Sequence, residues 1–323
     1  MSRDLVQIHS SDVPAVQNAL ARYQEHARGA FAANTERAIR SDTAIFAEWC
    51  GEQNRTSLPA ASETIAAFVD AKGAERAPAT VRRYVASIGH MHRAAEAGDP
   101  TKSEIVRLAL KRLSRSKGTR QKQAHGLTSD LRARMLDAAD AGTVKGLRDR
   151  ALLATAYDTL MRRAEVVALE HHHVEFTDDG SGTALVVRSK ADQEGKGQLR
   201  YLAPDTVEIL QAWVDVAGIT EGAVFRAVRK SGKVNGPLAA GEVSSIYKAM
   251  ARAAGIKPSV IMNLSGHSTR IGAAQDLVGA GVDIAQVMRD GGWKSPEMIA
   301  RYTEKQAVRA GGMAKLAAVQ NRG

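Results

Sequence analysis

A chain of 323 residues, 44% of them apolar, has ample material for one large or two ordinary hydrophobic cores. Only 4% are aromatic and the apolar count leans on alanine, which favours helices over sheets. The formal net charge of +10 points to a polyanionic partner; no stretch is long or apolar enough to span a bilayer, and Met1–Leu5 lacks the apolar run of a signal peptide. The expected compartment is the cytoplasm, with no membrane partner.

Residues 1–10 read as a loose leader. From Asp12 to about Gly29, Val13, Val16, Leu20 and Tyr23 recur at helical spacing. Asn34 is expected to cap a second helix running to Cys50, anchored by Ile39, Phe46 and Trp49. Cys50 is the single cysteine, so an intramolecular disulfide and a cysteine metal cluster are both excluded. A third helix follows Pro59 and Ala60, with Ile65, Phe68 and Val69 on one face. Pro78 starts a fourth, carrying Val81, Val85, Ile88 and Met91, and Thr101 opens a fifth through Ile105, Leu108 and Leu113. Five such helices joined by short turns predict an N-terminal α-helical bundle over 11–117.

Between Lys111 and Lys122 come six basic residues and no acid: Lys111, Arg112, Arg115, Lys117, Arg120 and Lys122. Such a run is often only a solvated face. Gly118 and the absence of large apolar residues also suit a basic linker at 118–126, able to cross phosphates between two lobes. The second part, 127–323, starts with helices at about 128–141 and 144–160. A break at Tyr157–Glu165 follows, with Glu165 in the first turn of the next helix, where the dipole favours an acid. Short strands are expected at Val174–Phe176 and Ala184–Val187 around the Asp178-Asp179-Gly180 turn, and at Leu199–Leu202. From Pro204 the pattern returns to helix, through Val207, Leu210, Trp213 and Val214, then Val243, Ile246 and Met250. His171-His172-His173 invites a metal reading, but adjacent histidines rarely converge on one ion. No metal or cofactor is expected.

The densest text is Leu264-Ser265-Gly266-His267-Ser268-Thr269-Arg270, with Gly291-Gly292-Trp293 ending 23 residues beyond Arg270 and Tyr302 nine residues after Trp293. Ser265 is read as the cap of a helix that carries His267 and Arg270 on one face, at the head of an apolar stripe of Ile271, Ala274, Leu277 and Val278. An arginine in a first turn opposes the helix dipole and, if buried, needs an anionic partner, which a phosphate would supply. Taken alone, H-x-x-R is common and an exposed arginine explains it.

With its flanking text, this stretch closely resembles the catalytic end of the Cre-like tyrosine recombinases. The resemblance spans about 128–303 with few gaps and reaches the N-terminal bundle by architecture and length. It implies a mainly α fold: a five-helix bundle plus a larger, mostly helical catalytic domain with a small antiparallel sheet. Residue by residue, it implies a catalytic set of Arg162, Glu165, Lys190, His267, Arg270, Trp293 and the nucleophile Tyr302. Arg163 fits the first arginine slot less well, because the acid stands three residues after Arg162.

The chemistry accounts for those residue types. A tyrosine oxygen attacking a phosphodiester creates a strongly anionic pentacoordinate transition state, which two arginines can fork onto. A free tyrosine has a pKa of about 10, so a positive pocket or a base must help it ionise. His267 suits proton acceptor or phosphate donor, and Lys190 general acid for the departing 5′ hydroxyl. Trp293 offers an indole N–H, and Glu165 orients Arg162 or His267. Religation then needs neither ATP nor metal. Singly, each residue has an ordinary explanation; all of them in order, with matching text, do not.

For DNA contacts the expectation names Arg37, Arg40, Arg82 and Arg83 in the bundle, Arg115, Lys117, Arg120 and Lys122 toward the linker, and Arg226, Arg229 and Lys230 in the catalytic domain. Residues 306–320, with Ala307, Val308, Met313, Leu316 and Ala317, read as a short apolar helix that the resemblance places against a neighbouring subunit. The expected enzyme is therefore a site-specific recombinase. It would act as a tetramer on two paired double-stranded inverted-repeat sites, through a 3′-phosphotyrosine and a Holliday junction, without an accessory protein. The competing readings are a type IB topoisomerase or telomere resolvase, and a non-catalytic DNA-binding protein on the same scaffold.

Overall fold

A computed structural model describes residues 13–188 and 197–322. The chain divides into two compact units, Met1–Lys122 and Gln123–Gly323. Both are mainly helical, as the composition leads one to expect.

In the first unit, helices α1 (Val13–His26), α2 (Ala33–Glu52), α3 (Ser62–Glu75), α4 (Pro78–Ala94) and α5 (Glu104–Lys117) form the bundle. Its centre is aromatic: Phe68 meets the edges of Phe46 and Trp49 at 5.0 and 5.3 Å, and Ile65, Val81, Ile88 and Val106 close around them. Each such side chain, fully buried, contributes about 1.5–3 kcal/mol, so this cluster stabilises the unit more than any cap. Two expected caps are displaced. The second helix starts at Ala33 behind an extended Ala32, and Asn34 spends its side chain on Arg37 Nη1 (2.7 Å). Thr101 sits in a 3₁₀ turn, Pro100–Lys102, whose N-cap Asp99 accepts from the Thr101 N–H and hydroxyl, so α5 begins only at Glu104.

The second unit is built around α7 (Val144–Asp158), most of which is buried: Ala151–Ala156 form an uninterrupted buried run, and ahead of them Arg148 and Asp149 are buried as an ion pair at 2.6 Å. Thr143 caps it by accepting from the Gly146 N–H. Around it pack α6 (Ser129–Ala138), α9 (Pro204–Ala217), α10 (Val243–Ala253) and α12 (Ser268–Gly279). Trp213 is fully buried in this core and donates its indole N–H to the Val224 carbonyl at 2.9 Å. A three-stranded antiparallel sheet, β1 (Val174–Phe176), β2 (Gly182–Val186) and β3 (Gln198–Leu202), pairs Val174 with Ala184 and Gly182 with Leu202. A second hairpin, β4 (Arg226–Val228) with β5 (Val234–Pro237), was not expected; strands of three and four residues are too short to show alternation. Helices α8 (Arg163–Val167), α11 (Pro258–Met262), α13 (Ile284–Gly291), α14 (Glu297–Arg309) and α15 (Gly312–Val319) complete the unit.

The C-terminal expectation is corrected. Ala307 and Val308 belong to the helix that carries Tyr302, and the chain breaks at Gly311 before α15. Among the described residues no helix is long and apolar enough to cross a membrane.

One close approach fixes α12. The Leu127 N–H donates to the Ser268 carbonyl at 2.8 Å, and a Cβ on Gly272 would stand 1.9 Å from the Leu127 carbonyl oxygen. Backbone lies on both sides of this contact, so no side chain can swing away. Gly272→Ala is expected to destabilise the second unit by about 3 kcal/mol, read from the midpoint of urea unfolding. A loss under about 1 kcal/mol would show that the 126–128 segment can move aside.

Candidate active site

Three breaks in the helical framework and one helix converge. The first is the α7–α8 junction. Leu160 there is a non-glycine residue at φ 50°, a conformation costing about 1–3 kcal/mol unless its surroundings enforce it. That conformation directs the Leu160 carbonyl to Arg270 Nη1, which donates to it. Arg162 follows as the N-cap of α8. Glu165 accepts its backbone N–H at 2.8 Å through one carboxylate oxygen and its Nη1 at 2.7 Å through the other. The carboxylate is 7% exposed and the guanidinium 23%, so the acid is spent on orienting the arginine, while part of the arginine faces solvent.

The second break precedes α12. Ser265 is not its cap. The N-cap position is His267, because Ser265 and Ser268 close a turn in which the Ser268 Oγ accepts the Ser265 N–H and the Ser265 Oγ accepts the His267 N–H. The Gly266 backbone lies so close to Arg163 that a Cβ would meet its side chain at 2.8 Å. His267 stays partly open to solvent. Partial burial first, then Arg270, Arg163 and Arg162, hold it below the ordinary 6.5, against the opposing pull of Glu165.

Arg270, three residues on, is only 2% exposed. Its Nη2 donates to the Gly291 carbonyl at 2.6 Å, its other branch holds Leu160, and its guanidinium carbon lies 3.8 Å from the centre of the Trp293 ring. Among the described residues no carboxylate forms an ion pair with it. Burial, ahead of repulsion from Arg162, pulls it down to about 9, still a cation at neutral pH. This is a buried charge held by two carbonyls and an aromatic face. An anion is its missing complement.

The third break is Gly291–Trp293, where Gly292 takes the left-handed conformation (φ 62°) that ends α13. The fourth element, α14, presents Tyr302, half-buried, with its ring 6.2 Å from that of Trp293 in an edge-on arrangement. Gln275 Nε2 of α12 donates to the Tyr302 carbonyl at 2.8 Å and ties the two helices together. Arg162, Glu165, His267, Arg270, Trp293 and Tyr302 thus meet in one pocket of the second unit. Lys190 lies outside the described residues.

The structure adds one residue to this pocket that the sequence reading passed over. Arg200, on β3, is buried and acts electrostatically on Arg270. Conversely, the cluster Glu170, His172 and His173 does draw its side chains together, against the expectation for adjacent histidines. His173 Nδ1, however, accepts the Glu170 N–H at 3.2 Å, which occupies that lone pair and puts the ring proton on Nε2.

The expected DNA contacts divide into engaged and open side chains. Arg83 is paired with buried Asp42 at 2.7 Å, Arg82 donates to Ser114, Lys117 to the Ala74 carbonyl, and Arg37 to Asn34. Arg226 donates to the Ala223 and Glu221 carbonyls and so braces its own turn. Arg40, Arg115, Arg229, Lys230 and Lys122 are exposed. Arg76, Arg82, Lys117, Arg120 and Lys122 line a basic cleft of about 650 Å³ in the first unit, at the start of α4.

Comparison with known proteins bears on the chain as a whole. The phage integrase family matches residues 125–309. The chain is 31% identical over 282 residues to an integrase/recombinase XerD homolog of Selenomonas ruminantium, covering 84% of this chain and 82% of that protein. It is 28% identical over 310 residues to the recombinase Cre of Escherichia phage P1, covering 90% and 89%. In fold it is similar to XerH site-specific recombinase bound to palindromic difH substrate in a post-cleavage complex, with a TM-score of 0.65, 18% identity, and coverage of 96% and 90%. With a matching domain and relatives along most of its length, the chain belongs to the phage integrase family and is a tyrosine recombinase, an enzyme that cleaves and rejoins DNA.

Proposed function

We propose that the enzyme exchanges strands between two inverted-repeat sites through a 3′-phosphotyrosine and a Holliday junction, as a tetramer and without an accessory protein. The observation that carries this reading is Arg270: a buried cation, lacking a carboxylate partner among the described residues, stacked on the tryptophan that touches Tyr302. In the proposed step the Tyr302 oxygen attacks phosphorus and passes its proton to His267. Arg162, aimed by Glu165, and Arg270 hold the non-bridging oxygens, with the Trp293 indole N–H beside them. The P–O5′ bond breaks, and Lys190 protonates the leaving 5′ oxygen. Reversal on the partner strand's 5′ hydroxyl restores the diester. The first unit with its basic cleft, together with Arg229 and Lys230, is assigned to phosphates, which would make affinity strongly salt-dependent.

The test is covalent capture. Fragments of the source replicon are incubated with protein in excess EDTA without nucleotide, and DNA held through SDS is recovered and sequenced. A covalent adduct at one recurring inverted repeat, with junction intermediates on paired sites, supports the reading. Adducts spread over unrelated sequence together with supercoil relaxation favour the topoisomerase alternative, and specific binding without any adduct favours the non-catalytic one.

The pH profile carries its own prediction. Because His267 is held below the ordinary 6.5, it is neutral and able to accept a proton at pH 7, and cleavage falls as pH drops through its lowered pKa. Arg163→Gln removes one of the cations that lower it. The acid limb of single-turnover cleavage should therefore move up, toward 6.5. An acid limb unmoved in this variant would remove His267 from the role of base.

A further inference from the structure

Strand β3 is inside out. In a half-buried strand the apolar residues face the core. Here Leu199 and Tyr201 are 64% and 59% exposed, while Arg200, between them, is 5% exposed beside the buried Leu202. A one-residue change of register would bury the leucine and tyrosine and free the arginine, exposing Leu202 alone among the apolar side chains of the strand. The fold holds the register that is locally worse, and such conflicts between local pattern and tertiary placement concentrate at functional sites.

The compensation for burying this guanidinium is thin. Arg200 Nη1 donates to the Arg289 carbonyl at 3.2 Å and Nη2 to Gln198 Oε1 at 2.9 Å, while Nε is buried without a partner among the described residues. Gln198 donates to the same Arg289 carbonyl. Gly292 lies against the group so closely that a Cβ would stand 2.8 Å from Nη2. The hydrogen bonds therefore run from β3 to the end of α13, the turn that sets Trp293. Arg270 grips the same turn two residues further on, at the Gly291 carbonyl. Its own role in the pocket is already assigned, whereas nothing in the step proposed above uses Arg200.

We propose that Arg200 is a positioning residue for DNA cleavage, acting through the Arg289–Gly292 turn to keep the Trp293 ring under Arg270 and against Tyr302. The inference rests on the function proposed above. Burial lowers the basicity of Arg200, while Glu165 and Asp290 oppose that shift, which places it within the field of the same pocket. A buried arginine so poorly partnered is unfavourable for stability, so its replacement by an apolar side chain of similar length separates the two roles.

The test compares Arg200→Met with the unaltered enzyme and with Tyr302→Phe on a DNA substrate that traps the covalent adduct. The proposal expects the methionine variant to melt at the same temperature or higher and to bind DNA with unchanged affinity. At saturating DNA it should cleave about 100-fold more slowly, the scale of a misplaced reactive group. Arg200→Lys, which keeps the charge and one donor, should recover part of the rate. In a Trp293→Ala background, Arg200→Met should cost little more, because its effect passes through the missing ring. In 5-fluorotryptophan-labelled protein the Trp293 resonance should shift, while those of Trp49 and Trp213 stay. Cleavage within threefold of the unaltered enzyme overturns the proposal. So does a loss of rate accompanied by a parallel loss of melting temperature or DNA affinity, and so does full multiplicativity with Trp293→Ala. If the unaltered enzyme itself forms no adduct, the parent reading has failed and this inference falls with it; an adduct from the unaltered enzyme with an unaffected Arg200→Met is failure of this inference alone.

Discussion

Tyr302→Phe is expected to abolish covalent capture of DNA while leaving the protein folded and bound to its site. The tyrosine hydroxyl makes no hydrogen bond among the described residues, and its ring keeps its place by packing edge-on to Trp293. Phenylalanine preserves that contact, so stability should change by less than about 0.5 kcal/mol. Removal of a nucleophile, by contrast, costs at least about 10⁴-fold in rate, because no arrangement of cations supplies the missing oxygen. Gel-shift affinity within a few-fold of the unaltered protein, together with adduct below detection, is the expected pair of results. Persistent adduct would mean that another side chain attacks phosphorus and that Tyr302 is a wall of the pocket.

The second large effect is at Arg270. Arg270→Ala withdraws the donor from the Leu160 and Gly291 carbonyls and leaves the Trp293 ring without its cation. Two buried acceptors orphaned together cost about 2–4 kcal/mol, and the left-handed Leu160 loses the contact that its geometry serves. Loss of a preorganised donor to the transition state slows cleavage by about 10²–10³-fold. Arg270→Lys distinguishes the two losses. A point charge can reach one carbonyl, so stability returns in part, but it cannot reproduce the planar fork, and cleavage stays low. Urea unfolding and single-turnover cleavage, measured on both variants, check the pair. An alanine variant with unchanged unfolding midpoint would show that the carbonyls find water and that the site is wetter than its burial implies.

The pocket was legible because the residues around its breaks are local text: Gly266-His267-Ser268-Thr269-Arg270, Gly291-Gly292-Trp293 and Arg162 with Glu165 can each be read without knowing the tertiary structure. The helices of both units were legible for the same reason, since an apolar face repeats within one element. What escaped the reading depends on contacts between elements. Ser265 and Ser268 are equally good caps by type, and only the turn they close together decides that the helix begins after His267. Ala307 and Val308 look like the start of a new apolar segment, but a helix ends where its backbone does, at Arg309. Arg200 was invisible because alternation points Leu199 and Tyr201 inward, and the inversion exists only once α13 and the Gly292 turn are packed beside the strand. Arg83 and Arg226 were legible as positive charge, but not as the partners of Asp42 and of two carbonyls that hold them.

The pocket gathers Arg162, Arg200 and Arg270 within electrostatic reach of one another, opposed by Glu165 and, at Arg200, by Asp290. Without DNA these like charges push against one another, and the catalytic unit carries that repulsion as part of its resting free energy. Any small oxyanion that enters relieves it. By mass action an anion at 100 times its dissociation constant raises stability by about 2.7 kcal/mol. A melting curve run in phosphate and again in chloride of equal ionic strength is then a gauge of the unloaded centre, usable before any target sequence is known. If the proposed reading holds, phosphate and sulfate buffers should compete with the scissile group for the same arginines, so cleavage in them is expected to be slower than in chloride of equal ionic strength.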